Sequence, residues 1–427
     1  MHFLEEGRLS EVSLSLGALI SSHRSRRNLT LADLSEMSGV SKSTISLIET
    51  GETKRPSYAT WRKIAEAIDI APSVIINAFV DTTHHPRTLE LILAEVITEG
   101  WEALVSKVAT HYLESPKVDT FRALDHIDRT ARDTENKRIK RILWDTIINF
   151  TRSRGIPSYL ANALYERYLI ERDDFARFEE TYRRGKELLL YVEHLYVEDR
   201  IDYYYKMGVH ANILDLHDES IDLCRLGLRE DRSDSRPKAS AYISLFNSCI
   251  YFGDFHIADI YLKEYENSKY ADFRKNHFRA TLLAKKGQHE DAISLFNVCL
   301  NETDREGRIS IVVDLMESYL QAGKTDDLML LLETEDQFLP EKMPQHPYRI
   351  KTLAQYYRRK ALCLISMEKY DQGFHSLIES IKYYKHIGIT TEVIEGIRLF
   401  LRHHRTNNKN LTFEHMELIE NICDNIL

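Results

Sequence analysis

An all-α chain is the fold class that the sequence predicts, on three observations. From Leu89 onward apolar residues recur at helical spacing with little strand alternation. Only nine prolines interrupt the 427 residues, and short turns built on Gly or Asp separate the periodic stretches. In chain order the expectation is an N-terminal helix-turn-helix domain over residues 1–72, a linker at 73–88, a tetratricopeptide-like right-handed helical solenoid at 89–410, and a capping or dimerisation helix at 411–427.

The head is legible between Leu16 and Ile70. Leu29 to Val40 gives one short helix and a turn, and Ser41 to Glu49 gives the next helix, with the Ser41 hydroxyl placed to cap it. Ile45 and Ile48 belong to a small core, which leaves Lys42, Ser43 and Leu47 toward a DNA major groove. Ser43 and Lys42 can bond base edges or phosphate, and Leu47 can touch a thymine methyl. Thr44 and Thr53 suit phosphate, and Lys54 and Arg55 add the salt-dependent attraction. Between Ser21 and Lys63 eight Lys or Arg face four acids, so this segment is +4 and the remainder −13 within a whole-chain charge of −9. A basic head on an acidic body puts the polyanion contact at the head.

Ala71-Pro72 ends the head, and Asp81-Thr82-Thr83-His84-His85-Pro86 reads as linker. The solenoid is predicted from a repeat. Gly253-Asp254-Phe255-His256-Ile257-Ala258 and Gly287-Gln288-His289-Glu290-Asp291-Ala292 place two alanines 34 residues apart, the period of a tetratricopeptide helix pair. Ser220 and Gly373 supply small residues at comparable places, where the second helix of a pair crosses its partner closely, whereas Leu328 does not. An insert around Pro340–Pro347 breaks the period. The apolar-striped end from Phe413 to Leu427 fits either a stack cap or a two-fold contact, and operator-binding proteins commonly use two-fold symmetry.

Other classes find little support. The chain has no G-x-x-x-x-G-K-[ST], G-x-G-x-x-G or H-E-x-x-H, and no pattern selects a catalytic residue, so neither an enzyme nor a cofactor is expected. The pairs His84-His85 and His403-His404 lack partners at metal spacing, so no metal site is expected. No apolar run reaches the length of a membrane span. Five scattered cysteines without a C-x-x-C pair fit free thiols in a reducing cytoplasm.

Two resemblances extend this reading. The head resembles the Xre or Cro/repressor-type helix-turn-helix family, because Gly51-Glu52-Thr53-Lys54-Arg55-Pro56 matches the turn that follows the family's recognition helix. Arg24 and Glu49 occupy the positions at which that family pairs its first helix with the end of the recognition helix, and Arg24 joins the expected DNA-binding set.

A DNA-reading head followed by tetratricopeptide-like repeats resembles the peptide-pheromone receptors of Gram-positive bacteria and their phages, of the Rap, Rgg, NprR, PlcR and PrgX kind. Within that group roughly residues 120–400 are most similar to the arbitrium receptors of the phage lysis–lysogeny switch. The likeness rests on His210-Ala211-Asn212-Ile213, on Asn247-Ser248 followed by Phe252, and on Asp314-Leu315-Met316-Glu317. It implies a short linear peptide of about 5–10 residues as ligand, bound through Asn side chains that copy a strand's hydrogen bonds. Asn212 and Asn247 match those positions, Arg236 matches the carboxylate clamp and Glu317 matches one acid of a pair that accepts the peptide's own Arg. The second acid is absent: Ile389 falls there, with Glu392 nearby as a substitute. A homodimer on a pseudo-palindromic operator is the expected DNA-bound form, with peptide closing the superhelix and changing the spacing of the two heads.

Overall fold

The computed structural model describes residues 16–53 and 56–406, with residues 413, 416, 417, 420 and 421 beyond them. Lys54, Arg55, Cys423 and, save those five positions, the expected 411–427 helix lie outside the described residues. Every regular element among the described residues is helical, and the chain divides into two compact units, residues 1–167 and 168–427.

The first unit opens with α1 (Leu16–Arg26), α2 (Leu31–Ser38), α3 (Lys42–Glu49), α4 (Tyr58–Ala67) and α5 (Pro72–Val80). Local chemistry sets these boundaries. Thr30 Oγ1 accepts the Asp33 amide while the Asp33 carboxylate accepts the Thr30 amide at 2.8 Å, a reciprocal cap that starts α2. Gly39, at φ +65°, ends it in the left-handed region that glycine adopts without strain. Ile20, Leu34, Ile45, Ile48 and Trp61 meet in a closed core. The backbones of α1 and α3 approach so closely that a Cβ on Gly17 would lie 2.2 Å from the Ile48 carbonyl oxygen.

The expected linker is corrected here. Residues 72–80 form α5, with Ile75, Ile76, Phe79 and Val80 buried, and α6 (Pro86–Thr98) begins after only five residues. Those five are fastened to α7 (Glu102–Leu113) and the turn that follows it. Lys107 Nζ donates to the Asn77 carbonyl at 2.6 Å and to Asp81 at 2.8 Å, and His111 Nε2 lies 2.8 Å from the Thr83 carbonyl oxygen. Ser115 donates to the His84 carbonyl at 3.0 Å, and the His84 and His111 rings stack at 5.0 Å. Polar composition suggested a solvated linker, but these polar groups are bonded across the corner. Tyr58 donates to Glu95 on α6 at 2.7 Å, and Arg62 pairs with the same carboxylate. The unit continues through α8 (Thr120–Asp133) and α9 (Lys137–Arg154), capped by Asp119 and Asn136, into α10 (Pro157–Glu171), which contains the unit boundary.

The second unit holds α11 (Phe178–Gly185), α12 (Val197–Ile213), α13 (His217–Glu230), α14 (Arg236–Phe252), α15 (Phe255–Asn267), α16 (Arg274–Lys285), α17 (His289–Glu302), α18 (Arg305–Gln321), α19 (Thr325–Glu333), α20 (Pro347–Ser366), α21 (Tyr370–His386) and α22 (Thr390–Thr406). These pack as successive helix pairs, a helical-repeat solenoid. The small residues sit at the crossings: Ser220, Ala258 and Ala292 are fully buried. At Gly373 a Cβ would stand 2.6 Å from Ile365. Leu328, also fully buried, fills the corresponding place in α19, which has only nine residues. The insert between α19 and α20 is pinned by Arg305, whose Nε donates to the Leu339 carbonyl at 2.9 Å and whose Nη1 pairs with Glu341 at 2.7 Å.

Within this unit the stack also returns on itself. Lys351 on α20, 5% exposed, donates to the Ile213 carbonyl at 2.8 Å and pairs with Asp215 at 2.7 Å, across 138 residues of chain. The Thr390 amide donates to Glu179 at 3.3 Å. Cys224, Cys249, Cys299 and Cys363 are buried free thiols.

Candidate nucleic-acid interface and ligand chamber

In the head, Ser41 Oγ accepts the Thr44 amide at 3.2 Å and bonds the Thr44 hydroxyl at 2.7 Å, so the cap read from sequence is present. Lys42 and Ser43 are exposed, Thr44 is half-buried, and Leu47 stands 40% exposed while Ile45 and Ile48 face inward. An apolar side chain held in water on the same short helix as Lys42 and Ser43 is what a base-reading face presents. Gly51, at φ +77°, turns the chain after α3, and the half-buried Thr53 returns its amide to the Leu47 carbonyl at 2.8 Å.

Arg24 departs from the rest of the expected DNA-binding set. Its Nε and Nη2 bond the two Glu49 oxygens at 2.7 Å each, and Nη1 donates to the Leu29 carbonyl at 2.8 Å. The guanidinium is therefore spent on holding α1 to the end of α3, the bidentate geometry that suits an Arg–carboxylate pair.

The second unit encloses a chamber between α12, α14, α16, α18 and α20. One lobe of about 380 Å³ holds Arg274, His346, Tyr348 and Arg349. A second of about 190 Å³ holds Lys285, Glu317, Lys351 and Arg359. Asn212, Asn247, His277 and Ser310 line both, so the two lobes adjoin. The size is within the range of small-ligand sites.

Of the four residues expected to bind peptide, three reach the chamber. Asn212 is buried, and its Nδ2 donates to the Ser244 carbonyl at 3.2 Å and to Ser248 Oγ at 3.1 Å. Asn247 is half-buried, and its carboxamide has no hydrogen-bond partner among the described residues. Glu317 is present but closed: Oε1 takes Lys285 at 2.5 Å and Oε2 takes Arg359 at 2.6 Å. Burial alone would raise its pKa, yet the Arg359 and Lys285 charges outweigh that and hold it below the usual carboxylate range.

Arg236 is a correction. It is the exposed first residue of α14 and does not line the chamber. Glu392, the substitute acid, also lies outside the lining and is bonded to Arg358, while Ile389 is buried. His210, in a motif that carried the resemblance, is a core residue between Tyr168 Oη at 3.2 Å and the Phe178 carbonyl oxygen at 2.9 Å, and burial pushes its pKa down to about 3.

Sequence reasoning missed the cations of the first lobe. Arg274 follows a turn fixed by Asp272, which accepts Arg274 Nε at 2.9 and 3.0 Å. As the first residue of α16 it has no preceding turn of helix whose spacing would mark it. His277 was missed as well. Its Nε2 lies 3.0 Å from Asp314, which also accepts Thr281 at 2.8 Å. Although burial opposes the charge on Asp314, these bonds and Arg359 keep its pKa low.

Residues 22–75 match the helix-turn-helix family. They form a helix-turn-helix domain. No curated protein sequence matches the chain. Among solved structures it is similar to a Rap protein complexed with competence and sporulation factor, at 9% identity over 76% of this chain and 99% of the other, with a TM-score of 0.39. A second is phAimR, at 13% identity over 96% and 100%, with a TM-score of 0.40. A third is Bacillus thuringiensis PlcR in complex with the peptide PapR7 and DNA, at 13% identity over 90% and 99%, with a TM-score of 0.27. Similarity at this level shows neither a ligand nor an activity. No helix among the described residues is long and apolar enough to cross a membrane.

Proposed function

We propose that this protein is a cytoplasmic, homodimeric transcription regulator that binds a pseudo-palindromic operator through its head and is controlled by a short secreted communication peptide, in a switch of the arbitrium type. In this reading Leu47 addresses bases, Lys42 and Ser43 reach base edges or phosphate, and Thr44 and Thr53 contact phosphate together with Lys54 and Arg55. Arg24 serves as a positioning residue. The carrying observation is the pairing, in one chain, of a helix-turn-helix domain with a chamber whose Asn247 carboxamide has no hydrogen-bond partner among the described residues. An open amide that both donates and accepts suits the main chain of an extended peptide.

The packed corner at 81–85 supports a rigid coupling of the head to α6 and α7, so the peptide changes head spacing through the body rather than through a loose tether. The test is a titration of the purified protein onto DNA flanking its own gene, with and without synthetic hexapeptides cut from the C-terminus of any small neighbouring reading frame. The expected outcome is that one peptide shifts operator affinity and that Asn247→Ala removes the shift. Tight DNA binding indifferent to every such peptide, with direct peptide binding absent by calorimetry, leaves only the DNA-binding head.

A further inference from the structure

The chamber also carries a charge preference. Among the described residues its lining holds four acids, and each is already bonded within the unit. Asp215 pairs with Lys351 at 2.7 Å and Asp272 with Arg274 at 2.9 Å. Asp314 is bonded by His277 and Thr281, and Glu317 by Lys285 and Arg359. Five cations line the same space: Arg274, Lys285, Arg349, Lys351 and Arg359. Counting histidines as uncharged, the described lining is thus +1 in formal charge, and burial pushes His217 toward the neutral form.

Arg274 is the asymmetric member. Asp272 grips its Nε, and the Nη pair meets no other acid at ion-pair distance among the described residues. A guanidinium fixed at one edge by an acid presents the other edge ready to take a second carboxylate in two parallel bonds. A ligand cation has no such reception. To reach Glu317 it must displace Lys285 or Arg359, leaving a partly buried cation without its counter-ion, and that displacement is costly.

We infer that the chamber selects peptides with acidic or uncharged side chains, takes their free C-terminal carboxylate at the Arg274 lobe, and discriminates against basic peptides. The inference rests on the peptide-receptor reading above and differs from the resemblance, which implied a basic residue facing Glu317. It also gives the ligand a direction. The carboxylate lies toward Arg274 and His346, the main chain runs past Asn212 and Asn247, and the other end approaches the closed Lys285–Glu317–Arg359 cluster.

The experiment incubates the full chain with three defined hexapeptide mixtures, one acidic, one neutral and one basic, each prepared with a free carboxylate and as the C-terminal amide. Retained peptides are quantified by mass spectrometry. Acidic and neutral acids are expected to be retained at least tenfold over basic ones, and amidation is expected to reduce retention about tenfold. Arg274→Gln removes the difference between acid and amide, whereas Glu317→Gln leaves it. The acid–amide comparison needs no variant, so a misfolded Arg274→Gln protein does not decide the outcome. Preferential retention of the basic mixture, lost in Glu317→Gln, overturns the charge assignment and leaves the peptide-receptor reading intact. Retention of none of the mixtures overturns the receptor reading itself and the inference with it.

Discussion

Among the described residues, Lys42 stands on the exposed face of α3 with no acid held against it, whereas every acid of the chamber is already bonded to a cation or a hydrogen-bond donor of its own unit. The difference follows from what each region meets. A surface that receives a polyanion keeps its cations hydrated, and the duplex supplies the counter-charge by releasing its own condensed ions. A chamber partly removed from water must neutralise its charges in the free state, because an unpaired buried ion is too costly to hold. One region is therefore read from exposed residues, and the other from the few groups its internal pairing leaves open.

The two regions are expected to be separately breakable, and the largest effect comes from the head's core. Trp61 is 1% exposed, and Trp61→Ala should cost the head about 3–5 kcal/mol, as large-to-small core changes do. Operator binding should vanish while peptide retention by the second unit persists. Proteolysis of both units followed in time checks this; simultaneous loss of both units would show that the regions are not independent.

Arg24→Met is the next largest. It strands Glu49, whose side chain is 9% exposed, and should cost about 3 kcal/mol of head stability. The salt dependence of operator binding should keep its slope, because no phosphate contact is lost. Lys42→Ala should do the opposite, lowering the slope by about 1 with little change in thermal stability.

Much of this was legible beforehand, though unevenly. The Ser41 cap, the inward Ile45 and Ile48 and the repeat alanines depend on spacing of three, four or 34 residues, which sequence states directly. The Lys351–Asp215 clasp joins residues 136 positions apart, on α20 and in the turn between α12 and α13, and no local pattern encodes it. Likewise the stretch 81–85 has the composition of a linker, and only its bonds to Lys107, His111 and Ser115 show a packed corner. Arg236 and Arg274 both open helices, yet only Arg274 lines the chamber, and a helix start read from sequence does not say which helices surround a cavity.

Acid sharpens the chamber side of the comparison. The folded pKa values of Glu317 and Asp314 lie below their ordinary values of 4.5 and 3.8, so the folded state binds fewer protons than the unfolded chain as pH falls through that region. Their contribution is complete at neutral pH, declines once the pH drops past 4.5, and is lost below the lowered folded values. Chemical denaturation from pH 7 to pH 3 should show the decline, and Glu317→Gln should flatten part of it. An unchanged slope in that variant would mean that the Lys285 and Arg359 pairs do not hold in solution.

The smallest effects separate two asparagines that sequence treats alike. Asn212→Ala removes two buried hydrogen bonds, to the Ser244 carbonyl and to Ser248 Oγ, and should cost about 1–2 kcal/mol, although Ser248 keeps its contact with His217. Asn247→Ala removes none and should stay within about 0.5 kcal/mol of the parent in stability. In ligand binding the order reverses. Asn212 has already committed its Nδ2 group, so its loss acts mainly through the shape of α12, while Asn247 offers both its donor and its acceptor. Calorimetric titration of a retained peptide into the two variants, with melting curves alongside, should show Asn247→Ala stable and weakened in binding. Binding that survives Asn247→Ala unchanged would place the peptide's main chain elsewhere in the chamber.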